Sequence, residues 1–192
     1  MGDVVRLPDS DRDGRQSLGV TLYMVVSSLT FATLLFMFVL LRSERAPWPP
    51  EGASSPPGWL VLAPTIFVAG VLASLRAGVR NLLEARLASL KRQLSWALAL
   101  AGGFAVAGSA LWTFLTLQEY RVGSPPGAIV FMLFAWLAAH GVLGIATLAF
   151  VRRGVRTGRY HARNSVHVRF VARLWYFVAA HWAVACVSLF LM

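Results

Sequence analysis

Two histidines are the side chains of this sequence best suited to chemistry. His140 and His181 each lie in a long apolar run, within AAHGV and AAHWA respectively. A neutral imidazole can ligate a metal or carry a proton. Two histidines on separate helices could therefore hold a b-type haem as axial ligands, one on each face. The alternative interpretation is that each histidine is neutral and forms a hydrogen bond to a neighbouring helix or subunit.

Other residues suited to chemistry are few. The sequence has no HExxH zinc motif, no phosphate-binding glycine loop and no G-x-S-x-G elbow, so common catalytic motifs are excluded. Glu84 follows Arg80 by four residues, which indicates a surface ion pair, and Glu119 is interpreted as an interfacial carboxylate near Arg121. The single cysteine, Cys186, excludes an internal disulfide or a multi-cysteine metal site. We predict a chain with no catalytic residue and no metal site of its own.

The composition is typical of a membrane protein. Hydrophobic residues make up 57% of the 192 residues and charged residues 14%, against roughly 25% charged residues in soluble domains. Five runs reach the length of about 20 apolar residues that a membrane-spanning helix needs, at about 18–41, 58–79, 94–117, 127–151 and 171–192. Spanning segments must be helical, since lipid cannot satisfy backbone hydrogen bonds. The predicted fold class is all-α: a short N-terminal tail (1–17), then one domain (18–192) of five transmembrane helices.

The distribution of basic residues predicts the orientation of the chain. The tail and the second and fourth connections together hold fifteen Lys and Arg, whereas the first and third connections hold three, Arg42, Arg45 and Arg121. Connections on the cytoplasmic side carry the excess of positive charge. We therefore predict a multi-pass protein of the bacterial inner membrane, with a cytoplasmic N-terminus and C-terminus on the outer, periplasmic face.

Small residues and tryptophans are expected to determine how closely these helices pack and where they meet the membrane surface. The stretches GVLAS (70–74) and GFAVAGS (103–109) offer the small-xxx-small spacing that lets helix backbones approach closely in lipid. Trp48, Trp59 and Trp96 fall near predicted span ends, where interfacial aromatic belts occur. The second connection is predicted to be helical, so that the flanking helices continue past the membrane surface.

The net charge of +10 indicates a lipid partner here and no nucleic acid, because the basic residues lie between apolar spans. The densest cluster surrounds Tyr160 and comprises Arg152, Arg153, Arg156, Arg159 and Arg163. We predict a solvated patch facing anionic lipid, with about 1 kcal/mol contributed per basic residue near the surface. His161 and His167 lie in the same connection and are predicted to be solvated or interfacial.

The last helix carries the strongest resemblance to a known family. Trp175, Phe177, Val178 and Trp182 in WYFVAAHW match, without a gap, the W-H-F-V-D-x-x-W pattern of subunit III of the haem-copper oxidases, including cytochrome c oxidase. His181 falls where that pattern allows any residue. The resemblance therefore assigns no motif-based role to this histidine.

Three further stretches resemble the same family in collinear order. His140 and Gly141 match the start of its H-G-x-H motif, and Gln118, Glu119 and Tyr120 resemble its Q…E-Y/W element. LYMVVSSLTFATLLFMFVLLR and the following WPPEG are similar to its L-F-L-A-S-E helix and W-P-P loop. The resemblance implies a short, five-helix form without the first two helices of the long form.

Several ionisable residues of the family are replaced here. Its buried glutamate is Ser27, its last-helix aspartate is Ala179, and the histidine beside its tryptophan is Tyr176. The second histidine of H-G-x-H is Leu143. Packing and lipid-holding roles can carry over under these changes, whereas a proton role of the buried carboxylates cannot, because Ser27 and Ala179 do not titrate.

The resemblance implies an accessory, non-catalytic subunit of a respiratory haem-copper oxidase complex. Haem and copper are then expected in the catalytic subunit I, the partner that reduces oxygen and translocates protons, along with other oxidase subunits. No cofactor is expected in this chain, apart from bound phospholipid. The motif residues Trp175, Tyr176, Phe177, Val178, Trp182, His140, Gly141, Gln118, Glu119 and Tyr120 are the candidate interface. Three alternatives stay open: an accessory subunit of a nitric oxide reductase-type complex, a small membrane cytochrome b with His140 and His181 as haem ligands, and a transporter or channel, for which the spans offer few polar residues.

Overall fold

The chain forms five long helices in the computed structural model, which describes residues 9–44, 54–118, 125–160 and 166–191. They are α1 (Asp9–Glu44), α2 (Gly58–Leu83), α3 (Leu87–Leu117), α4 (Pro125–Arg156) and α5 (Val166–Cys186). A π-helical turn, Val187–Leu191, continues α5. The ranges just given contain no β-strand, so the predicted all-α class is confirmed there.

All five helices are long and apolar enough to cross a membrane, as predicted. Their apolar parts are Leu18–Glu44, Gly58–Leu83, Leu87–Leu117, Gly127–Arg156 and Val166–Phe190, close to the predicted spans. The ends differ more. Helix α1 begins at Asp9, inside the segment assigned to the tail.

A tight turn of three residues joins α2 to α3, so the second connection is largely helical, as predicted. Ala85 adopts the left-handed conformation with φ of 56°, which reverses the chain between the two helices. Glu84 forms the predicted ion pair with Arg80 at 3.8 Å and a second one with Arg86 at 3.2 Å. Both pairs are solvent-exposed, so each contributes at most about 1 kcal/mol.

The helices pack as a four-helix bundle with α1 outside it. Helices α2 and α3 share the longest interface, α3 packs against α4, and α5 packs against both α2 and α4. Helix α1 lies along α4 and α5. The face that α1 turns to them includes Met24, Phe31, Leu34 and Phe38. Their spacings of seven, three and four residues keep them on one side of the helix.

Two of the predicted small residues do permit close helix contact. The ring of Phe67 lies over Gly103, where an added Cβ would come within 2.5 Å of it, and the side chain of Leu100 lies 3.1 Å from the corresponding position of Gly70. Ser109, at the end of the second stretch, instead lies on an exposed position and bonds to the carbonyl of Ala105. The interface between α2 and α3 therefore uses part of each predicted stretch.

The described basic residues collect at one end of the bundle, here called the basic end. They are Arg76, Arg80, Arg86, Lys91, Arg92, Arg152, Arg153, Arg156, Arg159, Arg169 and Arg173. At the opposite end Arg42 donates a hydrogen bond to the carbonyl of Ser188 at 3.2 Å. Trp59 lies at the beginning of α2, whereas Trp96 lies nine residues after the beginning of α3. Both are largely exposed. Trp48 lies outside the described residues.

Tyr160 is buried, although the arginines of the predicted solvated patch around it, Arg153, Arg156 and Arg159, are exposed. Its ring packs on Gly154, where a side chain would collide with it, and stacks on His167 with ring centroids 4.8 Å apart. Gly158, with φ of 74°, turns the chain back toward α4. His167 is half-buried because its ring stacks on Tyr160. The predicted residues His161 and Arg163 lie outside the described ranges.

Candidate functional site

The two histidines of interest lie at one place, the seam where α1 packs on α4 and α5. We call the cluster of rings there the histidine seam: Tyr23, Phe31, Trp136, His140, Phe177 and His181. Residues from three helices meet in it although they are up to 158 positions apart. The structure thus brings together the two histidines that the sequence singled out.

His140 is buried and held by its own helix. Its Nδ1 lies 2.8 Å from the carbonyl oxygen of Trp136, and because a carbonyl can only accept, Nδ1 donates the proton. The imidazole also stacks on the indole of Trp136 at 3.8 Å. Its Nε2 is buried and, among the described residues, has no hydrogen-bond partner.

His181 repeats this arrangement one helix away. Its Nδ1 donates to the carbonyl of Phe177 at 2.8 Å, and its ring meets Phe31 of α1 edge-to-face at 4.6 Å. We predicted a hydrogen-bond partner on another helix, whereas His181 bonds to a residue of α5 itself. Helical side chains lean toward the preceding turn, which brings an imidazole to the carbonyl four residues back.

The geometry between the two imidazoles does not fit a haem. A haem with two histidine ligands needs its macrocycle between the imidazoles. Trp136 occupies that region, with centroids 3.8 Å from His140 and 5.0 Å from His181. Phe177 lies beside it, 5.6 Å and 4.2 Å from the same two rings. The unpaired Nε2 of His140 suits a metal, but packed aromatic rings fill the space between the two imidazoles.

The two motif tryptophans tie α5 to the rest of the bundle. Trp175 is fully buried and its indole N–H donates to the carbonyl of Gly144 on α4 at 3.3 Å. Trp182, two turns later, donates to the hydroxyl of Thr65 on α2 at 3.0 Å. The ring of Phe104 on α3 contacts both indoles edge-to-face, at 6.1 and 5.5 Å. The spacing of seven residues between the two tryptophans therefore places both indoles where α2, α3 and α4 converge.

Most of the remaining described motif residues are buried within this chain. Phe177 and Val178 are buried, and Gly141 is buried near Phe104. Tyr176 is the exposed member of the α5 motif, with 47% of its surface accessible. The side-chain oxygen of Gln118 accepts a hydrogen bond from the backbone of Ser54 at 3.4 Å. Glu119 and Tyr120 lie outside the described residues.

The positions that carry acids in the resembled family are neutral and half-buried. Ser27 lies on α1 one turn before Phe31, and Ala179 packs partly against the core on α5. Within the described ranges, no group of three or more His, Cys, Asp or Glu side chains could hold a metal. The site thus consists of aromatic rings packed around two imidazoles, without a carboxylate to transfer a proton.

Trp136 was not among the predicted site residues, and Phe177 was predicted as a motif residue but not as a partner of His181. Trp136 precedes His140 by four residues and Phe177 precedes His181 by four, so each ring lies on the same face as its histidine. Phe31 of α1 was also missed. The repeated spacing was a visible signal for the first two, whereas nothing local indicated the third.

Comparison with known proteins agrees with the subunit III resemblance. No family model matches the chain. It is 25% identical over 183 residues to the cytochrome c oxidase subunit 3 of Thermostichus vulcanus, an alignment that covers 91% of this chain and 86% of that protein. The similarity is distant, but it extends over nearly the whole of both chains.

Proposed function

We propose that this chain is an accessory, non-catalytic subunit, similar to subunit III, of a respiratory haem-copper oxidase complex. The observation that carries the proposal is the end-to-end similarity to a cytochrome c oxidase subunit 3. The five membrane-length helices support it. Haem and copper then belong to the catalytic subunit I beside it, which performs oxygen reduction and proton translocation.

The proposed location is the bacterial inner membrane, with the basic end in the cytoplasm. Eleven described Lys and Arg lie at that end, and positively charged connections stay on the cytoplasmic side. The N-terminus is then cytoplasmic and the C-terminus periplasmic. This orientation also places the basic residues near anionic lipid headgroups.

The proposed contribution of this chain is packing and lipid retention. Ser27 and Ala179 cannot titrate, and both histidines sit among aromatic rings. Helix α1 exposes Leu22, Val26 and Phe36 along its length, an apolar surface for lipid or for the catalytic subunit. The chain therefore supports the complex through contacts, with no cofactor of its own.

Purification of the complex through a tag on this chain, in mild detergent, tests the proposal. We expect a haem-copper catalytic subunit to co-purify, identified by mass spectrometry and by its reduced-minus-oxidised haem spectrum. Oxygen consumption by that preparation would indicate an oxidase, and nitric oxide consumption the related reductase-type complex. Recovery of the chain without any haem-copper catalytic subunit contradicts the proposal.

A His181→Ala substitution separates the proposal from a small membrane cytochrome b. We expect the purified complex to keep its haem absorbance bands at the wild-type intensity, because Trp136 and Phe177 occupy the space between the imidazoles. His167→Ala, which lies outside the histidine seam, is the matched control. Loss of a b-type band in His181→Ala alone would show that this chain holds haem.

A further inference from the structure

An apolar groove runs between α3 and α4 on the side of the bundle away from α1. It has a volume of about 540 Å³, within the range of about 300–1,000 Å³ found for ligand sites. Its floor includes Phe104, Phe134 and Trp182, and its walls include Ala105, Gly108 and Ala138. The groove is deep because the residues of its walls are small.

The hydroxyl groups of the groove need no hydrogen bond from its occupant. The hydroxyl groups at its wall are already satisfied: Ser109 donates to the carbonyl of Ala105 and Thr113 to that of Ser109, both at 2.9 Å. Gly108 has open space where a side chain would stand. Such a lining suits a hydrocarbon chain, which has no polar group to satisfy.

A positive charge lies on the same seam at the basic end. Arg152 of α4 crosses to α3, where its Nε donates to the hydroxyl of Ser95 at 2.9 Å. A guanidinium has five N–H donors, and this bond uses one of them. Lys91 lies one turn before Ser95 on α3. Glu84, the acid of the nearby α2–α3 turn, is paired with Arg86 and does not neutralise Arg152.

The spacing between charge and groove matches one phospholipid. Thirteen residues separate Ser95 from Gly108, which corresponds to about 20 Å of helix. Half of a bilayer, headgroups included, is about 20–22 Å thick. A phosphate beside Arg152 would therefore place the end of its acyl chain near Gly108. The intervening Gly102 also has open space at its Cα.

We infer that the groove between α3 and α4 holds an acyl chain of one anionic phospholipid, whose phosphate is bound by Arg152 with Lys91 beside it. This specifies where the lipid of the proposed function is bound and which headgroup it carries. The inference rests on the proposed function only in that the chain lies in a membrane. Charge complementarity selects an anionic lipid over a partner helix, since a helix in the groove would leave Arg152 uncompensated.

Photo-crosslinking of the full chain in phosphatidylcholine nanodiscs tests this inference without any oxidase subunit. The probe is phosphatidylglycerol with a diazirine near the end of one acyl chain. We expect adducts on residues 104–113 and 134–145. A phosphatidylcholine probe with the same chain should label them about fivefold less, because a basic residue near the surface contributes about 1 kcal/mol.

Two pairs of variants test the groove and the charge separately. Ala105→Leu with Ala138→Leu fills the groove and should lower labelling about tenfold, the effect of a loss of 1.4 kcal/mol. Ala69→Leu with Ala73→Leu, at exposed positions of α2, should leave it unchanged. Arg152→Gln keeps a donor for Ser95 and should remove the preference for phosphatidylglycerol, whereas Arg153→Gln should keep it.

Three results would overturn the inference. They are equal labelling of the groove-filled variant and the wild type, equal labelling by the two headgroups in the wild type, and adducts found only outside residues 104–113 and 134–145. Circular dichroism and thermal unfolding identify any variant that misfolds, and the wild-type comparison of the two probes stands without variants. Because the nanodisc holds this chain alone, failure here is distinct from failure of the oxidase co-purification.

Discussion

Replacing Trp175 with alanine should lower the free energy of unfolding by about 3–5 kcal/mol, the cost found for removing a large buried aromatic residue. Trp175 is fully buried, and its indole contacts α4 through Gly144 and α3 through Phe104. Truncation leaves a cavity at the point where three helices meet and removes the indole hydrogen bond to Gly144, whose carbonyl still accepts one from the Thr147 hydroxyl at 3.0 Å. In lipid, helix association depends on such van der Waals packing.

Unfolding of the purified chain in detergent, by heat or by denaturing detergent, measures this effect. Trp96→Ala is the control, because Trp96 is 60% exposed and exposed substitutions usually change stability by no more than about 0.5 kcal/mol. Trp175→Phe should recover part of the loss by refilling the cavity without the hydrogen bond. Similar stabilities of Trp175→Ala and Trp96→Ala would mean that the motif tryptophan does not hold the bundle together.

Gly103→Ala should destabilise the chain by about 1–3 kcal/mol, the usual cost of overpacking. Its new methyl group would come within 2.5 Å of the Phe67 ring, and no carbon atom tolerates that distance. Gly102→Ala is the neighbouring control. It meets nothing within 4 Å, so it should stabilise α3 by up to about 1 kcal/mol through helix propensity.

A double-mutant cycle assigns the effect to that contact. Phe67→Ala removes the ring, so Gly103→Ala added to it should cost far less than in the wild-type background. The same unfolding measurement serves all four proteins. If Gly103→Ala cost as much without the ring as with it, the close approach of α2 and α3 at this position would not be the cause.

The positions of the five helices could be predicted from hydropathy because a bilayer permits few alternatives. Backbone groups in lipid must be bonded within the segment, so an apolar run of membrane length is a helix. That constraint ends at the membrane surface. It could not tell that α1 begins at Asp9 or that Ala85 reverses the chain after Leu83, since local capping and turn geometry decide those ends.

The candidate site could be predicted only in part. The sequence placed His140 and His181 at mid-span and gave the seven-residue spacing of Trp175 and Trp182. It could not place Phe31 against His181, because that contact depends on which helix neighbours which. The groove beside Gly108 was not predicted for the same reason, because it depends on which faces of α3 and α4 lie against each other.

The position of α1 outside the four-helix bundle has a consequence for biosynthesis. Helix α1 leaves the ribosome first, yet it packs on α4 and α5, which leave last. Between Phe31 and His181 lie 150 residues of chain, or roughly 8–30 s of synthesis at about 5–20 residues per second. Throughout that interval α1 has lipid in place of its final neighbours. A helix as apolar as α1, with a mean hydropathy of 2.4, is stable in lipid during that interval. The hydroxyls of Thr30 and Thr33 donate to carbonyls of their own helix, and the aromatic contacts of α1 with α5 form only when the last helix arrives.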